Sequence, residues 1–272
     1  MSATHDLPSQ SVRYLPTNEA YDRWAAVYDT DGNFLQALDT IELKALFSKF
    51  LLSITSPRPW RVVDLGCGTG RNTMLLLDVP DVAEVVALDS SKGMLDVARS
   101  RLQKADDVVG ISINSPARAA PKLHLEVFDM LTASSPPVVA QQADGVISTL
   151  VIEHIPLPTF FSQVSQILKP GGVLLLTNMH EQMGAISQAG FVDANTGKKI
   201  RPTSYTHSLA DVVAEANKHG FDIERVGEGE GEGEGIRERA VEDDMVEGLG
   251  PRSKKWVGIM CWFGGLFRKK RA

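Results

Sequence analysis

Val62-Val63-Asp64-Leu65-Gly66-Cys67-Gly68-Thr69-Gly70-Arg71-Asn72-Thr73 is the stretch that decides the fold. An apolar run leads straight into three glycines and then into a helical segment. Glycine at 66, 68 and 70 removes the Cβ atoms that would keep a ligand away from the backbone. The helix N-terminus behind them offers unpaired N–H groups and positive partial charge, so an anionic group belongs there. The spacing G-x-G-x-G brings the third glycine one position earlier than the dinucleotide fingerprint G-x-G-x-x-G. No Gly-Lys-Ser/Thr follows, which excludes a P-loop. The tight form suits a ligand carboxylate in place of a diphosphate.

Moving outward, Asp89 ends the second predicted strand. An acid at that place accepts hydrogen bonds from both hydroxyls of a ribose, while the helix-cap role belongs better to Ser90 or Ser91. Met94, one turn into the next helix, can cover an adenine face or serve as an ordinary core methionine. Asp129 ends the third strand, where it can accept from the exocyclic amino group of adenine or simply shape a turn. Met130 can pack on the ring. Asp64, Cys67, Asn72 and Ser90 complete the expected contact set. A carboxylate site, a ribose site and an adenine site in series fit S-adenosylmethionine.

The rest of the chain alternates short apolar runs with helical segments. Strands are predicted at Arg61–Leu65, Glu84–Leu88, Leu123–Phe128, Gly145–Ser148, Gly172–Asn178, Phe221–Val226 and Lys255–Trp262. Helices fall near Asn72–Leu77, Ser91–Lys104, Leu157–Leu168 and Ser208–His219. Val, Ile and Leu dominate several strands, as in a sheet covered on both faces. The order implies an α/β sandwich with a mostly parallel sheet. Ahead of it, Tyr21, Trp24, Ala25 and Tyr28 share one helical face, and Phe34, Leu38, Ile41 and Ala45 mark a second helix. These lid helices span residues 17–55, and residues 1–16 read as disordered. A single domain over 17–272 is interrupted by an insertion at Val108–Lys122 and by GEGEGEGEG at 227–235. The latter reads as a flexible, solvated acidic loop between the last two strands.

On VVDLGCGTG, VVALDSSKGML, LHLEVFDM, GVISTLVIEHI and LKPGGVLLLTN, the chain resembles the class I S-adenosylmethionine-dependent methyltransferases. The resemblance implies a Rossmann-like fold of seven strands, the last antiparallel. It also implies S-adenosyl-L-homocysteine as product, and Thr149 and Leu150 at the methionine end. The flanks YDRWAAVYDTDGNFLQALD, MHEQMGAISQAGFVDANTGKKIRPTSYTH and KKWVGIMCWFG are similar to those of fungal secondary-metabolite methyltransferases, including the gliotoxin-type enzymes that N-methylate epidithiodiketopiperazines. Methyl transfer to a small natural product, at nitrogen, is the function implied. Transfer to sulfur, oxygen or carbon stays open, as does a cofactor-binding regulatory protein without catalysis.

Most such acceptors lose a proton, and a histidine is a natural base near neutral pH. His154 lies just past the fourth strand, and His180 follows the fifth. Tyr205 and His207 precede the helix that starts at Ser208. All four are candidates for catalysis. Tyr28 is the expected lid contact to the cofactor. Met183, Phe191 and the loop to Arg201-Pro202 are expected in a mostly apolar acceptor pocket.

The net charge of −6 and a pI near 5.6 argue against non-specific nucleic-acid binding. The two cysteines, Cys67 and Cys261, form no zinc or disulfide pattern, so no metal is expected. No run reaches the roughly 18 apolar residues of a membrane span. The N-terminus has no signal-peptide pattern, which points to the cytoplasm. Oligomeric state is not legible.

Overall fold

The computed structural model describes residues 12–109, 121–224 and 235–271. Most of the Val108–Lys122 insertion and all but the last residue of the glycine–glutamate tract lie outside them. Along the chain come β1 (Val12–Leu15), α1 (Thr17–Trp24), α2 (Phe34–Ser53), β2 (Trp60–Leu65), α3 (Arg71–Leu77), β3 (Val82–Asp89), α4 (Lys92–Val109) and β4 (Lys122–Val127). Next are β5 (Ala143–Thr149), α5 (Leu157–Ile167), β6 (Leu168–Met179), α6 (Glu181–Ile186), β7 (Phe191–Val192) and β8 (Lys199–Pro202). The chain ends with α7 (Leu209–Lys218), β9 (Phe221–Ile223), β10 (Ile236–Ala240), α8 (Val246–Leu249) and β11 (Met260–Lys269).

The main sheet runs β10-β11-β6-β5-β2-β3-β4, with β9 also on β11. The five strands from β6 to β4 are parallel, and β11 enters antiparallel beside β6, so the α/β expectation holds. Its β5 is buried along almost its whole length, because helices cover both faces. On one face α2 buries Leu38, Leu46 and Phe50 completely; each such side chain contributes about 1.5–3 kcal/mol by transfer from water. On the other, α5 and α7 bury Phe160, Phe161, Val164 and Val212. The α2 helix starts where Asn33 accepts hydrogen bonds from the N–H groups of Leu35 and Gln36, a cap that satisfies two otherwise orphaned donors.

Three expectations are corrected. Residues 12–15 are not disordered. They form β1, which pairs in parallel with β8 in a small sheet β1-β8-β7 and buries Leu15 against Trp24, Phe191 and Ile200. The last strand lies at Met260–Lys269, not Lys255–Trp262, and Pro251–Trp256 forms a 3-10 turn before it. Gly264 and Gly265 look like an exit from a strand, yet they sit in its middle, paired with Thr177 and Leu176. A Cβ on Gly264 would lie 2.6 Å from the Trp262 ring and 2.7 Å from Leu46, so the glycine makes room for those side chains.

The third concerns the acidic tract. β9 pairs Ile223 with Phe267, the Glu224 N–H donates to Leu266 O, and β10 resumes with Ile236 opposite Gly265. β9 and β10 are therefore two halves of one edge strand; the unpredicted β10 follows the tract in sequence, and the tract itself, all but Gly235, lies outside the described residues. Counted that way, the main sheet has seven strands. Among the described residues no helix is long and apolar enough to cross a membrane.

Candidate active site

The carboxyl ends of β5, β2, β3 and β4 lie side by side, and a cavity of about 640 Å3 opens across them. Ligands of open α/β sheets bind at such strand ends. β5 supplies Thr149 and Leu150, β2 leads into Gly66 and Gly68, β3 supplies Asp89 and Ser90, and the β4 end supplies Phe128, Asp129 and Met130. Met94 and the lid residues Tyr21 and Tyr28 complete much of the wall. After Leu65 the chain bends through Gly66, whose φ is +76°. A Cβ there would sit 2.3 Å from Val151 Cγ2, so the bend accepts no L side chain without displacement.

Asp89 is held by two backbone donors: Gly68 N–H to Oδ2 and Ser91 N–H to Oδ1, each at 2.8 Å. Burial pushes its carboxyl above the usual range, and those bonds pull against it. Asp129 Oδ1 accepts from Leu131 N–H in a turn, and the residue also lines the cavity. The donor set fits S-adenosylmethionine part by part: a backbone bend for the amino-acid end, a carboxylate for the ribose, and a carboxylate with Phe128 and Met130 for the adenine.

Four expected contact residues, Asp64, Cys67, Gly70 and Asn72, do not line this cavity. Asp64 is buried under the loop, accepts from Thr73 Oγ1 at 2.6 Å, and is pushed up to about 7 by burial. Cys67 packs with Ala87 and Leu95. Gly70 opens α3 and lets it approach α4, with Ala98 Cβ 3.1 Å from where a Cβ would stand. Asn72 donates to Thr149 Oγ1 at 2.8 Å and so orients a residue that does line the cavity.

A second cavity, of about 780 Å3, shares Tyr21, Tyr28 and Leu150 with the first. Leu150 leaves β5 with φ +55°, an uncommon backbone for a branched residue and one that clusters at functional sites. Trp24, Phe34, Met183 and Trp256 give apolar walls. Phe191 and Arg201-Pro202, expected here, line neither cavity; Phe191 stacks on the back of Trp24 instead. The pocket is also less apolar than expected. Lys199, Arg252 and Lys255 line it, as does Glu153.

Glu153 is only 4% exposed, and its Oε2 has no hydrogen-bond partner among the described residues. Burial pushes its carboxyl up to about 7, with the charge of Asp39 adding and His207 opposing. Its neighbour His154 Nε2 is 3.8 Å from Oε1.

The histidine candidates are otherwise engaged. His154 Nδ1 lies 2.7 Å from Thr203 O. A carbonyl only accepts, so Nδ1 carries the proton and Nε2 accepts from the Tyr21 hydroxyl at 2.8 Å. Burial pushes its pKa down to about 4, so the ring is neutral. His154 lines the cofactor cavity and anchors the lid. His180 caps α6 and contacts Glu238 Oε1 at 2.7 Å. His207 Nε2 lies 3.0 Å from the carbonyls of Ile152 and Ile155. Tyr205 stacks on His207, and its backbone N–H donates to Glu153 O. His180, Tyr205 and His207 line neither cavity. The sequence reading missed Glu153, and also Asp22. The Oδ1 of Asp22 accepts from Ser91 Oγ and Gly93 N–H, which latches α1 to the start of α4.

The methyltransferase-domain family matches residues 63–176. An uncharacterized methyltransferase of Emericella nidulans is 47% identical over 270 residues, covering 93% of this chain and 91% of that protein. Among solved structures, an S-adenosylmethionine dependent methyltransferase from Mesorhizobium loti is similar with a TM-score of 0.54 at 19% identity, covering 83% of this chain and 98% of that one. DhpI, in complex with SAH, is similar with a TM-score of 0.57 at 16% identity, covering 94% and 96%.

Proposed function

Because the chain belongs to the S-adenosylmethionine-dependent methyltransferases, we propose that it methylates a small molecule seated in the second cavity, at a nitrogen atom. When bound, S-adenosylmethionine supplies an activated methyl group on a sulfonium sulfur. The protein's own task is to align the nucleophile and exclude water, and alignment alone is worth roughly 7–11 kcal/mol in favourable cases. The observation that carries the reading is the shared wall of Tyr21, Tyr28 and Leu150 between the two cavities. An acceptor in the second meets the methyl end of the first there. Both phenols stay protonated, since burial pushes their pKa values up, and their rings can stabilise a nearby sulfonium.

The likeness of the flanking segments to gliotoxin-type enzymes supports the finer reading of a fungal secondary metabolite of the epidithiodiketopiperazine kind. The test is transfer from tritiated S-adenosylmethionine into small natural products, bulk protein and RNA, followed by separation of the three. Label in the small molecules is expected. Label confined to macromolecules, or tight S-adenosylhomocysteine binding with no transfer to anything, overturns the reading.

A further inference from the structure

The second cavity is bipolar. One pole is the buried carboxylate of Glu153, whose Oε2 has no hydrogen-bond partner among the described residues; Glu153 is next in sequence to the cofactor-cavity residue His154. Around the exposed mouth stand Lys199, Arg252 and Lys255. Arg252 is partly occupied, donating to Asp31 O at 2.7 Å. Lys255 lies over the Trp256 ring, 5.2 Å from its centroid, which holds the ammonium at the rim. Among the described residues Lys199 has no such compensation. After burial, the charges that act on it are Arg201, Lys255 and Arg252, all of its own sign, and together they hold its pKa below the ordinary lysine value. Assembling like charges costs free energy, and a bound anion relieves it. Between the two poles the walls are aromatic and aliphatic, with Trp24, Phe34 and Met183 among them.

We propose that the acceptor is an anionic amine, with its nitrogen at Glu153 and its carboxylate or other anionic group at Lys199, Arg252 and Lys255, and that Glu153 is the base for the transfer. This rests on the reading of the second cavity as the acceptor site. The proton leaves the acceptor nitrogen for the Glu153 carboxylate. The nitrogen lone pair forms the N–C bond to the methyl carbon of the sulfonium donor. The C–S bond breaks, and its electron pair stays on sulfur, leaving a neutral thioether. His154 cannot take that proton, because its Nε2 already accepts from Tyr21.

The experiment uses two matched probes on the full chain at pH 8. 4-(Aminomethyl)benzoate has an amine, an aromatic body and a carboxylate; 4-methylbenzylamine has a methyl group where the carboxylate stood. With the protein saturated by S-adenosylhomocysteine, calorimetry is expected to show the anionic probe binding at least tenfold more tightly. In Lys199→Gln/Lys255→Gln the gap closes to within twofold. With S-adenosylmethionine, label enters the anionic probe as a base-stable N-methyl group. Glu153→Gln lowers that transfer at least a hundredfold while S-adenosylhomocysteine affinity stays within threefold of wild type. Glutamine is isosteric and removes a buried charge, so this variant folds, and the retained product binding verifies it.

Equal binding of the two probes, no binding of either, a gap that survives in the lysine variant, transfer that survives in Glu153→Gln, or label in a base-labile ester overturns the proposal. Methylation of neutral amines that ignores the lysines sinks this inference and leaves the proposed function standing. Label found only in protein or RNA sinks both.

Discussion

The two cavities share a wall and are built in opposite ways. The cofactor cavity is made at the ends of four adjacent parallel strands, so each of its main parts sits in a short local motif. The second cavity draws Trp24 from α1, Phe34 from α2, Glu153 from the turn after β5, Met183 from α6, Lys199 from β8 and Lys255 from the turn before β11. Only Trp24 and Phe34 share one short segment; the rest come from separate parts of the chain. The first cavity is a property of the fold; the second is a property of how the lid and the small sheet close over it. Substitutions in one should therefore leave a different signature from substitutions in the other.

The largest separation is expected at Asp89 and Gly66. Asp89→Ala strips the cofactor cavity of a carboxylate and orphans two backbone donors. Charge-assisted bonds are worth about 1.5–3 kcal/mol each, so affinity for S-adenosylhomocysteine should fall at least a hundredfold by calorimetry. Unchanged affinity would remove Asp89 from the ribose site. Gly66→Ala should lose affinity and melting temperature together, because the new methyl meets Val151 Cγ2 at 2.3 Å. Adding Val151→Ala removes the clash but leaves the strained φ of +76°. The double variant should recover part of the lost stability and not all of it. Full recovery would mean the left-handed bend costs nothing there.

That asymmetry explains what could be read from the sequence. The order of strands, the G-x-G-x-G bend and the acids at Asp89 and Asp129 are local patterns, and the structure has them where the pattern put them. Asp64, Cys67 and Asn72 lie in the same stretch but do not line the cavity. Proximity in sequence cannot distinguish a side chain above the bend from one beneath it. Lys199 had no local signal, since its partners at the rim lie more than fifty residues away. Glu153 did have one: with His154 it is one of two polar residues in the run Leu150-Val151-Ile152-Glu153-His154-Ile155, and the only acid there. Histidine drew attention by its usual pKa, but burial changed that ordering, taking His154 down to about 4 and Glu153 up to about 7. The break between β9 and β10 was illegible for another reason, because only pairing with β11 shows the two as one strand.

A middle-sized effect pits stability against turnover at Glu153. Its folded pKa of about 7 lies above the 4.5 of an unperturbed glutamate. The folded state therefore holds its proton more tightly than the unfolded chain does. Stability from this group is fully present below about pH 4.5 and is lost as pH rises through about 7. The groups acting on it are Asp39, His207 and Asn178, with His154 and the two lid tyrosines alongside. Glu153→Gln should raise the melting temperature at pH 8 and leave it close to wild type at pH 4.5. A melting temperature at pH 8 no higher than wild type would mean the carboxylate is better solvated than its burial implies.

The smallest effect is expected at the joint between the cavities. Tyr21 lines both, and its hydroxyl donates to His154 Nε2. Tyr21→Phe keeps the ring, its contacts with Trp24 and Tyr28, and the Asp22 latch. It removes one neutral hydrogen bond, worth about 0.5–1.5 kcal/mol, and leaves Nε2 of a neutral imidazole without its donor. Turnover should fall a few-fold with S-adenosylhomocysteine affinity nearly unchanged, because the loss concerns lid alignment and not the cofactor's own contacts. The freed Nε2 then becomes available to a proton. If Tyr21→Phe/Glu153→Gln turns over faster than Glu153→Gln alone, the imidazole has replaced the missing carboxylate, and the tyrosine's role in wild type includes keeping that nitrogen occupied. If the double variant is slower still, Tyr21 serves the alignment of the lid and His154 stays a structural anchor.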